Sequence, residues 1–456
     1  MLNAMASQIA AWTGGRLHGA DVHVSGVASD SRQLPAGSLF IALRGEHHDA
    51  HDFVDAVAAA GASAALVDHV MPVAITQVVV ADVGHALADL ATAWRGQCEG
   101  TVIGITGSTG KTTVKTLLGA ILQRHGRCHV TSGNFNNEIG LPLTVLAMPQ
   151  DSEYAVLEMG AGQPGDIASL VRIAQPQLGL VTNIGAAHLE RMGSVEGVAE
   201  TKGALYSTLP ADGVAIINAD DAFADYFRGL AGGRRTLDFG IASKANVTAR
   251  LGAQPHSGRF VLVTADAEFT IQLPLRGRHN VANALAAAAV AIALDVPLAT
   301  IKSGLEAASA VAGRSVRHVC ANGALLIDDT YNANPASFAA AIAMLAAERG
   351  DSVLVMGDMR ELGSDGERLH AEVGALARHS GIRRLHAVGE LSRAAVHAFG
   401  SGALHYPDQA ALISALEAEL RATPAILIKG SRGSAMDRVV AALLHGERTE
   451  GDHHAA

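Results

Sequence analysis

Hydrophobic and polar positions along the chain alternate between two periods. Short apolar runs predict buried strands, and stretches whose apolar residues recur every three or four positions predict amphipathic helices. In the first hundred residues the pattern predicts a helix over 51–62 and strands over 22–28, 38–43 and 64–67. From residue 101 a new series of strands is predicted over 101–106, 154–158, 178–183 and 214–218, with helical stretches between some of them. Such repeated strand–helix units predict a mainly parallel sheet covered on both faces.

The pattern changes twice more. Residues 240–275 alternate apolar and polar positions, which predicts an antiparallel extension of the sheet, and the alanine-rich stretch 281–294 predicts a helix. After Arg314 the alternation restarts, with a helix from Pro335 and strands over 324–329, 352–357, 383–389 and 425–430. The last ten residues carry no core-forming pattern, and we expect them to fray. With 456 residues, too many for one core, the chain is predicted to form three domains, 1–97, 98–312 and 313–456.

Composition excludes several classes of protein. The chain is 49% hydrophobic and only 4% aromatic, and its net charge of −10 disfavours a nucleic-acid partner, which needs a basic face. The three cysteines (Cys98, Cys128 and Cys320) form no CxxC pair, so we expect neither a disulfide nor a zinc framework. No signal-peptide pattern is present, and the longest apolar run is too short to cross a bilayer. We therefore expect a cytoplasmic protein without membrane insertion.

A glycine-rich turn separates the strand 101–106 from an amphipathic helix, and it reads Gly107-Ser108-Thr109-Gly110-Lys111-Thr112-Thr113. Its glycines let backbone N–H groups point at phosphate oxygens, and the helix N-terminus adds a partial positive charge. Lys111 would neutralise the outer phosphates, and the Thr112 hydroxyl would bind Mg²⁺. Ile105 stands where the common phosphate loop has its first glycine, so a simple strand–helix turn is the alternative.

Further polar residues follow the predicted strands. Glu158 ends the strand 154–158, where ligands bind in open α/β sheets, and a carboxylate there can hold Mg²⁺; a helix cap or a salt bridge is the alternative. Asn183 and His188 follow the strand 178–183, and spacing alone does not separate a ligand histidine from a structural one. Lys202 lies in a helical stretch, where a solvated lysine is the default interpretation.

Two clusters allow a functional and a simpler interpretation. Amides in the segment 133–138 suit a phosphate or polar substrate, although asparagine also favours turns; the candidates are Asn134, Asn136 and Asn137. His47, His48 and His51 resemble a metal cluster, but chance clustering among 21 histidines is the better explanation, and we predict no metal there.

Taken together, the motifs resemble those of the Mur ligases over nearly the whole chain. That family has a shorter phosphate loop, ITGSTGKTT here, which accounts for Ile105. Within the family, three segments look like the members that add D-alanyl-D-alanine, namely Glu158-Met159-Gly160-Ala161, Asp329–Pro335 and Met356–Gly363. The diaminopimelate- or lysine-adding relatives would show a different sequence after the central glutamate and a distinct arginine motif.

The resemblance implies an α/β architecture with a small N-terminal UDP-binding domain, a central P-loop ATPase-like domain and a C-terminal Rossmann-like domain. It implies a cytoplasmic ATP-dependent ligase, expected to be a monomer, with ATP and Mg²⁺ as cofactors. The substrates implied are UDP-N-acetylmuramoyl tripeptide and D-alanyl-D-alanine, joined through an acyl phosphate. The alternatives are another amino-acid-adding Mur ligase, a small-molecule kinase and a nucleotide-dependent binding or switch protein.

The resemblance also implies roles for single residues. Lys202 matches the lysine that is carbamylated in related ligases, and Glu158 and His188 match their magnesium ligands. Asn283 matches an adenine-contacting asparagine. The residues implied to reach ATP after domain closure are Arg314 and Asp329, those that hold the UDP end are Ser31 and Arg32, and those that face the dipeptide are Lys429 and Ser431, with Arg432 beside them.

Overall fold

The structure, a computed structural model, describes residues 1–45, 48–254, 256–320, 322–348, 350–422 and 425–453. Three α/β units follow one another along the chain, each built on its own main sheet. The α/β class predicted from the alternation of strands and helices is confirmed. Among the described helices, none combines the length and the apolarity that crossing a membrane requires.

The N-terminal unit has a five-stranded sheet of order β2-β7-β6-β5-β4, parallel except at the β2–β7 pair, and a separate antiparallel pair, β1 and β3. Its elements are β1 (Asn3–Met5), α1 (Ala6–Trp12), β2 (Arg16–His18), β3 (His23–Ser25), β4 (Val27–Ala28), β5 (Leu39–Ile41), a 3₁₀ turn (Ala50–Phe53), α2 (Val54–Ala59), β6 (Ala64–Val67), β7 (Thr76–Val79) and α3 (Val83–Arg95).

The single strand predicted over 22–28 is wrong in one respect. Gly26 has φ +87°, a conformation that favours glycine, and it divides the segment into two strands that join different sheets. The helix predicted over 51–62 is a 3₁₀ turn followed by α2, which ends before Gly61. The domain boundary at residue 97 stays a prediction. Helix α3, which precedes that boundary, packs against the central unit, and Trp94 Nε1 donates to Met148 O at 3.1 Å, so packing does not mark a division there.

The central unit has a nine-stranded sheet of order β16-β15-β14-β13-β12-β11-β8-β10-β9. Its elements are β8 (Thr101–Thr106), α4 (Lys111–Leu122), β9 (Cys128–Val130), α5 (Gly140–Leu146), β10 (Tyr154–Glu158), α6 (Asp166–Ala174), β11 (Leu178–Val181), α7 (Leu189–Met192), α8 (Val195–Ser207), β12 (Val214–Asn218), α9 (Ala224–Ala231), β13 (Arg235–Gly240), β14 (Val247–Leu251), β15 (Arg259–Val263), β16 (Glu268–Gln272), α10 (Arg278–Ala293) and α11 (Leu298–Glu306).

Strands β8 to β14 of this sheet pair in parallel with their neighbours. The pairs β14–β15 and β15–β16 are antiparallel, as the alternation over 240–275 predicts. Alternate side chains of β8 and β10 enter different cores, so both faces of the sheet are covered. One face packs against α4, α10 and α11, and the other against α3, α5 and α6. The alanines of α10 are buried almost throughout, because small side chains let this helix approach its neighbours closely.

The C-terminal unit has a six-stranded sheet of order β17-β18-β22-β19-β20-β21, antiparallel only at the β17–β18 pair. Its elements are β17 (Val316–Val319), β18 (Leu325–Asp329), α12 (Pro335–Ala346), β19 (Ser352–Gly357), a 3₁₀ turn (Gly363–Asp365), α13 (Gly366–His379), β20 (Arg384–Val388), α14 (Ser392–Phe399), β21 (Ala403–Tyr406), α15 (Gln409–Ala422), β22 (Ala425–Lys429), a 3₁₀ turn (Arg432–Ser434) and α16 (Asp437–His453).

Two helix ends in this unit relate to the sequence predictions. Asn334 caps α12 by accepting from the Ser337 backbone N–H at 2.8 Å, and Pro335 occupies the first turn, where its missing N–H costs nothing. Of the last ten residues, 447–453 continue α16, and the expectation that this end frays stays a prediction. A helix needs no apolar pattern to continue by one or two turns, because each added residue gains a backbone hydrogen bond.

Candidate active site

A cavity of about 860 Å³ lies between the carboxyl ends of the central strands and the C-terminal unit. The central unit contributes the phosphate loop from Ser108 to Thr113, the segment after β10 and the start of α10. The C-terminal unit contributes Arg314 before β17, residues at and after the end of β18, Glu361, and Lys429 at the end of β22. The site therefore occupies the place where open parallel sheets bind ligands, and it is closed by a second domain.

The phosphate loop is held against the end of β11. Gly107 has φ +144°, and a Cβ there would overlap Thr182 Oγ1, so only glycine fits. The Ser108 backbone N–H donates to Asn183 O at 2.9 Å, and that of Thr109 donates to Asn183 Oδ1 at 3.0 Å. Asn183, whose role the sequence left open, thus fixes the loop. Helix α4 begins at Lys111, directly behind this turn, as an anion-binding helix N-terminus requires.

Lys111 and Thr112 point into this cavity from the first turn of α4. Lys111 Nζ donates to Gly107 O at 2.6 Å. Burial lowers the pKa of Lys111, whereas the negative charge of Glu158 raises it and the positive charge of Arg314 lowers it further. The Thr112 hydroxyl donates to Glu158 Oε2 at 2.9 Å and accepts from Arg314 Nη2 at 2.9 Å, so it joins the two domains at the loop.

Glu158 is 2% exposed and is surrounded by donors. Besides Thr112, Asn136 Nδ2 donates to Oε1 at 2.8 Å, and Lys115 Nζ lies 3.2 Å from Oε2. Burial alone would raise the pKa of Glu158, but Lys115, Lys111 and the two side-chain hydrogen bonds lower it below its ordinary value. The carboxyl group is therefore ionised. Of the two alternatives for Glu158, the structure contains the salt bridge, with Lys115, and not the helix cap, and a role in binding Mg²⁺ stays a prediction.

Lys115 is the residue that the sequence analysis missed. It is buried, it donates to Gly133 O at 2.9 Å, and it is the cation nearest to the Glu158 carboxylate. One signal was present, since Lys115 follows Lys111 by four residues and so lies on the same face of α4. The apolar pattern around it does not by itself identify a buried ion pair.

Of the two candidates His188 and Lys202, only His188 lines the cavity with the loop. Lys202 projects from α8 and is 1% exposed, so its default interpretation as a solvated lysine is wrong. Burial, together with the positive charge of Lys111, lowers the pKa of Lys202 to about 7, against the opposing effect of Asp166. Burial lowers the pKa of His188 too, and the negative charge of Glu361 opposes this effect, whereas the positive charges of Lys202 and Lys111 add to it.

The C-terminal unit places a cation and an ion pair in the cavity. The Arg314 guanidinium lies 4.2 Å from the centre of the Tyr331 ring, and its Nε is buried without a hydrogen-bond partner among the described residues. Lys429 Nζ lies 2.7 Å from Asp329 Oδ2 and donates to Asn332 O at 2.8 Å. Lys429 thus lines the cavity with its ammonium already partnered, and its contact with the dipeptide stays a prediction.

Other predicted residues divide into two groups. Asn136, Asn137, Asn283 and Asp329 line the cavity with the loop. The predicted residues that do not line it are Ser31, Arg32, Asn134, Ser431, Lys202 and Gly107. Arg32 is exposed, and its guanidinium forms an ion pair with Asp30. Ser431 is buried, and its Oγ accepts from the Arg360 backbone N–H at 2.9 Å. Roles for these residues in holding the precursor stay predictions.

The histidine cluster in the N-terminal unit has other partners. His47 lies outside the described residues, and His51 is buried. His51 Nδ1 lies 2.6 Å from Asp49 Oδ1, and its Nε2 accepts from the Asp68 N–H at 3.2 Å. His51, Asp68 and His69 bring possible ligand atoms within 4.8 Å of one another, yet both ring nitrogens of His51 are engaged by the protein itself.

Family models match all three units of the fold. They are the Mur ligase family catalytic domain over residues 23–95, the Mur ligase middle domain over 105–291, and the Mur ligase glutamate ligase domain over 313–432. The phosphate loop, the buried carboxylate and the domain that closes over them are those of an ATP-dependent ligase that forms amide bonds. The chain belongs to the Mur ligase family.

Particular relatives match along nearly the whole chain. UDP-N-acetylmuramoyl-tripeptide–D-alanyl-D-alanine ligase of Escherichia coli (strain K12) is 42% identical over 97% of this chain and 99% of its own. The structure of MurF from Acinetobacter baumannii has a TM-score of 0.92 at 35% identity, covering 98% of this chain and 99% of its own. The structure of MurF ligase from Thermotoga maritima in complex with ADP has a TM-score of 0.82 at 28% identity, covering 93% and 98%.

The loop geometry predicts that Gly107→Ala weakens nucleotide binding. The added Cβ overlaps Thr182, and placing a side chain on such backbone costs of order 1–3 kcal/mol, so the affinity for ADP should fall roughly tenfold or more. Titration calorimetry with ADP measures the change. Gly229→Ala is the matched control, because a Cβ there meets nothing within 4 Å and should leave ADP binding unchanged. Equal affinity in the two variants would show that the turn does not hold the nucleotide.

Proposed function

We propose that this protein joins D-alanyl-D-alanine to UDP-N-acetylmuramoyl tripeptide and that this reaction is coupled to cleavage of ATP to ADP and phosphate. The observation that carries the proposal is a single cavity in which Arg314 of the C-terminal unit meets Thr112 of the phosphate loop, beside the ionised Glu158. Relatives named for this reaction match nearly the full chain. They do not favour the alternatives, another amino-acid-adding Mur ligase or a small-molecule kinase.

The reaction has two steps. An oxygen of the tripeptide's terminal carboxylate attacks the γ-phosphorus of ATP, and the bond from that phosphorus to the β-phosphate oxygen breaks. The products of this step are an acyl phosphate and ADP. The amine of D-alanyl-D-alanine then attacks the acyl carbon, loses a proton and expels phosphate. Phosphorylation is needed because a carboxylate oxygen is a poor leaving group.

The chain's own groups bring two anions together in the first step. Backbone N–H groups of the loop and the start of α4 bind the phosphates, and Lys111 and Arg314 supply positive charge beside them. Because these donors are fixed before the substrate arrives, they stabilise the charge that develops on the transferred phosphoryl group without reorganising. The C-terminal unit covers the site and keeps water from the acyl phosphate.

The residues present fit a magnesium ion. Thr112 and Glu158 offer oxygen, which Mg²⁺ prefers, and Glu158 accepts three contacts where an ionised carboxylate can accept about four. His188 adds a ring nitrogen. Magnesium would neutralise charge on the ATP phosphates. These three residues and a carbamylated Lys202 are our proposed ligands, because CO₂ converts the buried amine into a carbamate oxygen donor and releases one proton.

The reaction assignment predicts which compounds the enzyme requires. Phosphate release should need ATP, Mg²⁺, the tripeptide precursor and D-alanyl-D-alanine together, and mass spectrometry should find a product heavier by the dipeptide less water. Free D-alanine should be a poor substitute, because it leaves polar groups of the site unpaired. An enzyme that instead extends a dipeptide precursor with a diamino acid would retain the ligase class and contradict this substrate.

Burial of Lys202 predicts that this residue carries CO₂. Only the neutral amine reacts with CO₂, so the carbamate should increase as the pH rises through about 7, where the ammonium loses its proton. Lys202→Ala should be nearly inactive and partly rescued by small carboxylic acids that supply the missing oxygens. Crystals grown at mildly alkaline pH show whether Lys202 carries CO₂, and ligation assays measure the loss of activity and its rescue. Lys244→Ala, at an exposed lysine, is the control, and a fully active Lys202→Ala would overturn the assignment.

A further inference from the structure

Glu361 reaches from the C-terminal unit to His188 of the central unit. Its Oε2 lies 2.5 Å from His188 Nδ1, and its backbone oxygen accepts from the Glu190 N–H at 3.4 Å. Both Glu361 and His188 line the nucleotide cavity. The segment that carries Glu361 was singled out in the sequence only as a family motif, and nothing in the two-step reaction uses its carboxylate.

The backbone at both ends of this contact has an uncommon conformation. His188 has φ +55° and Glu361 has φ +63°, in the left-handed region that is unfavourable for a residue with a side chain. Such conformations persist where the surrounding structure enforces them, and they concentrate at functional sites. Because these two left-handed residues face one another across a domain boundary, the backbone conformations of both loops support this contact.

Packing on each side keeps the two loops in place. Leu189, next to His188, packs against the hydrophobic core of the central unit and also against that of the C-terminal unit. Gly363 lies against Glu190, where an added Cβ would come within 3.5 Å of the Glu190 Cα. The pairing of Glu361 with His188 therefore does not depend on two mobile side chains meeting in solvent.

We propose that Glu361 is a positioning residue that completes the magnesium site when the domains close. With Nδ1 donating to Glu361, Nε2 is the ring nitrogen left for the metal, and metal-binding histidines commonly donate their other N–H to a carboxylate in this way. Since the carboxylate comes from the other domain, metal binding and domain closure strengthen each other. This inference rests on the proposed role of His188 as a magnesium ligand.

The test measures metal affinity rather than turnover. Mn²⁺ is titrated into the full-length protein with a non-hydrolysable ATP analogue, and free Mn²⁺ is followed by electron paramagnetic resonance. Glu361→Ala should weaken Mn²⁺ binding about 10–100-fold, the usual effect of removing such a partner. Glu361→Gln, which keeps an oxygen acceptor without the charge, should lose less. Because the Glu361 side chain is 60% exposed, neither substitution should disturb the core, and thermal unfolding checks this.

Two further variants separate positioning from other roles. Glu390→Gln removes an exposed carboxylate of the same domain and should leave Mn²⁺ affinity unchanged. In a His188→Ala background, Glu361→Ala should cause no additional loss, because the carboxylate acts through the imidazole. Unaltered Mn²⁺ binding in Glu361→Ala, or an equal further loss without His188, would overturn the inference. If His188→Ala itself binds Mn²⁺ normally, the ligand assignment and this inference both fail, while dipeptide-dependent ligation by the unmodified protein still stands.

Discussion

The site depends on the contacts that stabilise the buried carboxylate of Glu158. A carboxylate removed from water is stable only when its charge is compensated, and here three side chains supply the compensation. Helix α4 provides Thr112 and Lys115, and the segment 133–138 provides Asn136. Breaking any of these contacts leaves the buried charge less well compensated, so Glu158 connects the phosphate loop, the segment 133–138 and the end of β10.

The same arrangement extends to the C-terminal unit through Thr112, whose hydroxyl accepts from Arg314. In the proposed reaction this connection is useful, since the phosphate groups and the precursor carboxylate repel each other until cations and backbone N–H groups surround them. A domain that brings Arg314 to the loop while it covers the cavity supplies charge and excludes water in the same movement. The contact between Glu361 and His188 adds a second link across the same boundary.

Much of this organisation could be predicted from the sequence, because it depends on local patterns. The strand, the glycine turn and the helix of the phosphate loop are contiguous, and Glu158 ends a strand that its own residues predict. The partners of Lys115 and Glu361 lie far away along the chain, and burial of a charged residue such as Lys202 leaves no mark on a periodic pattern. Ser31 and Arg32 show the converse, since the family resemblance singles them out but the structure leaves them outside the cavity.

We propose that the cavity holds a divalent metal between the phosphate loop and Glu158. Anomalous diffraction from crystals of the full-length protein grown with Mn²⁺ and a non-hydrolysable ATP analogue would locate such a metal. We expect one strong peak within about 2.0–2.6 Å of ligand oxygens, next to Glu158 and in reach of Thr112 and His188. A nucleotide bound in the loop with manganese located elsewhere, and none beside Glu158, would contradict it.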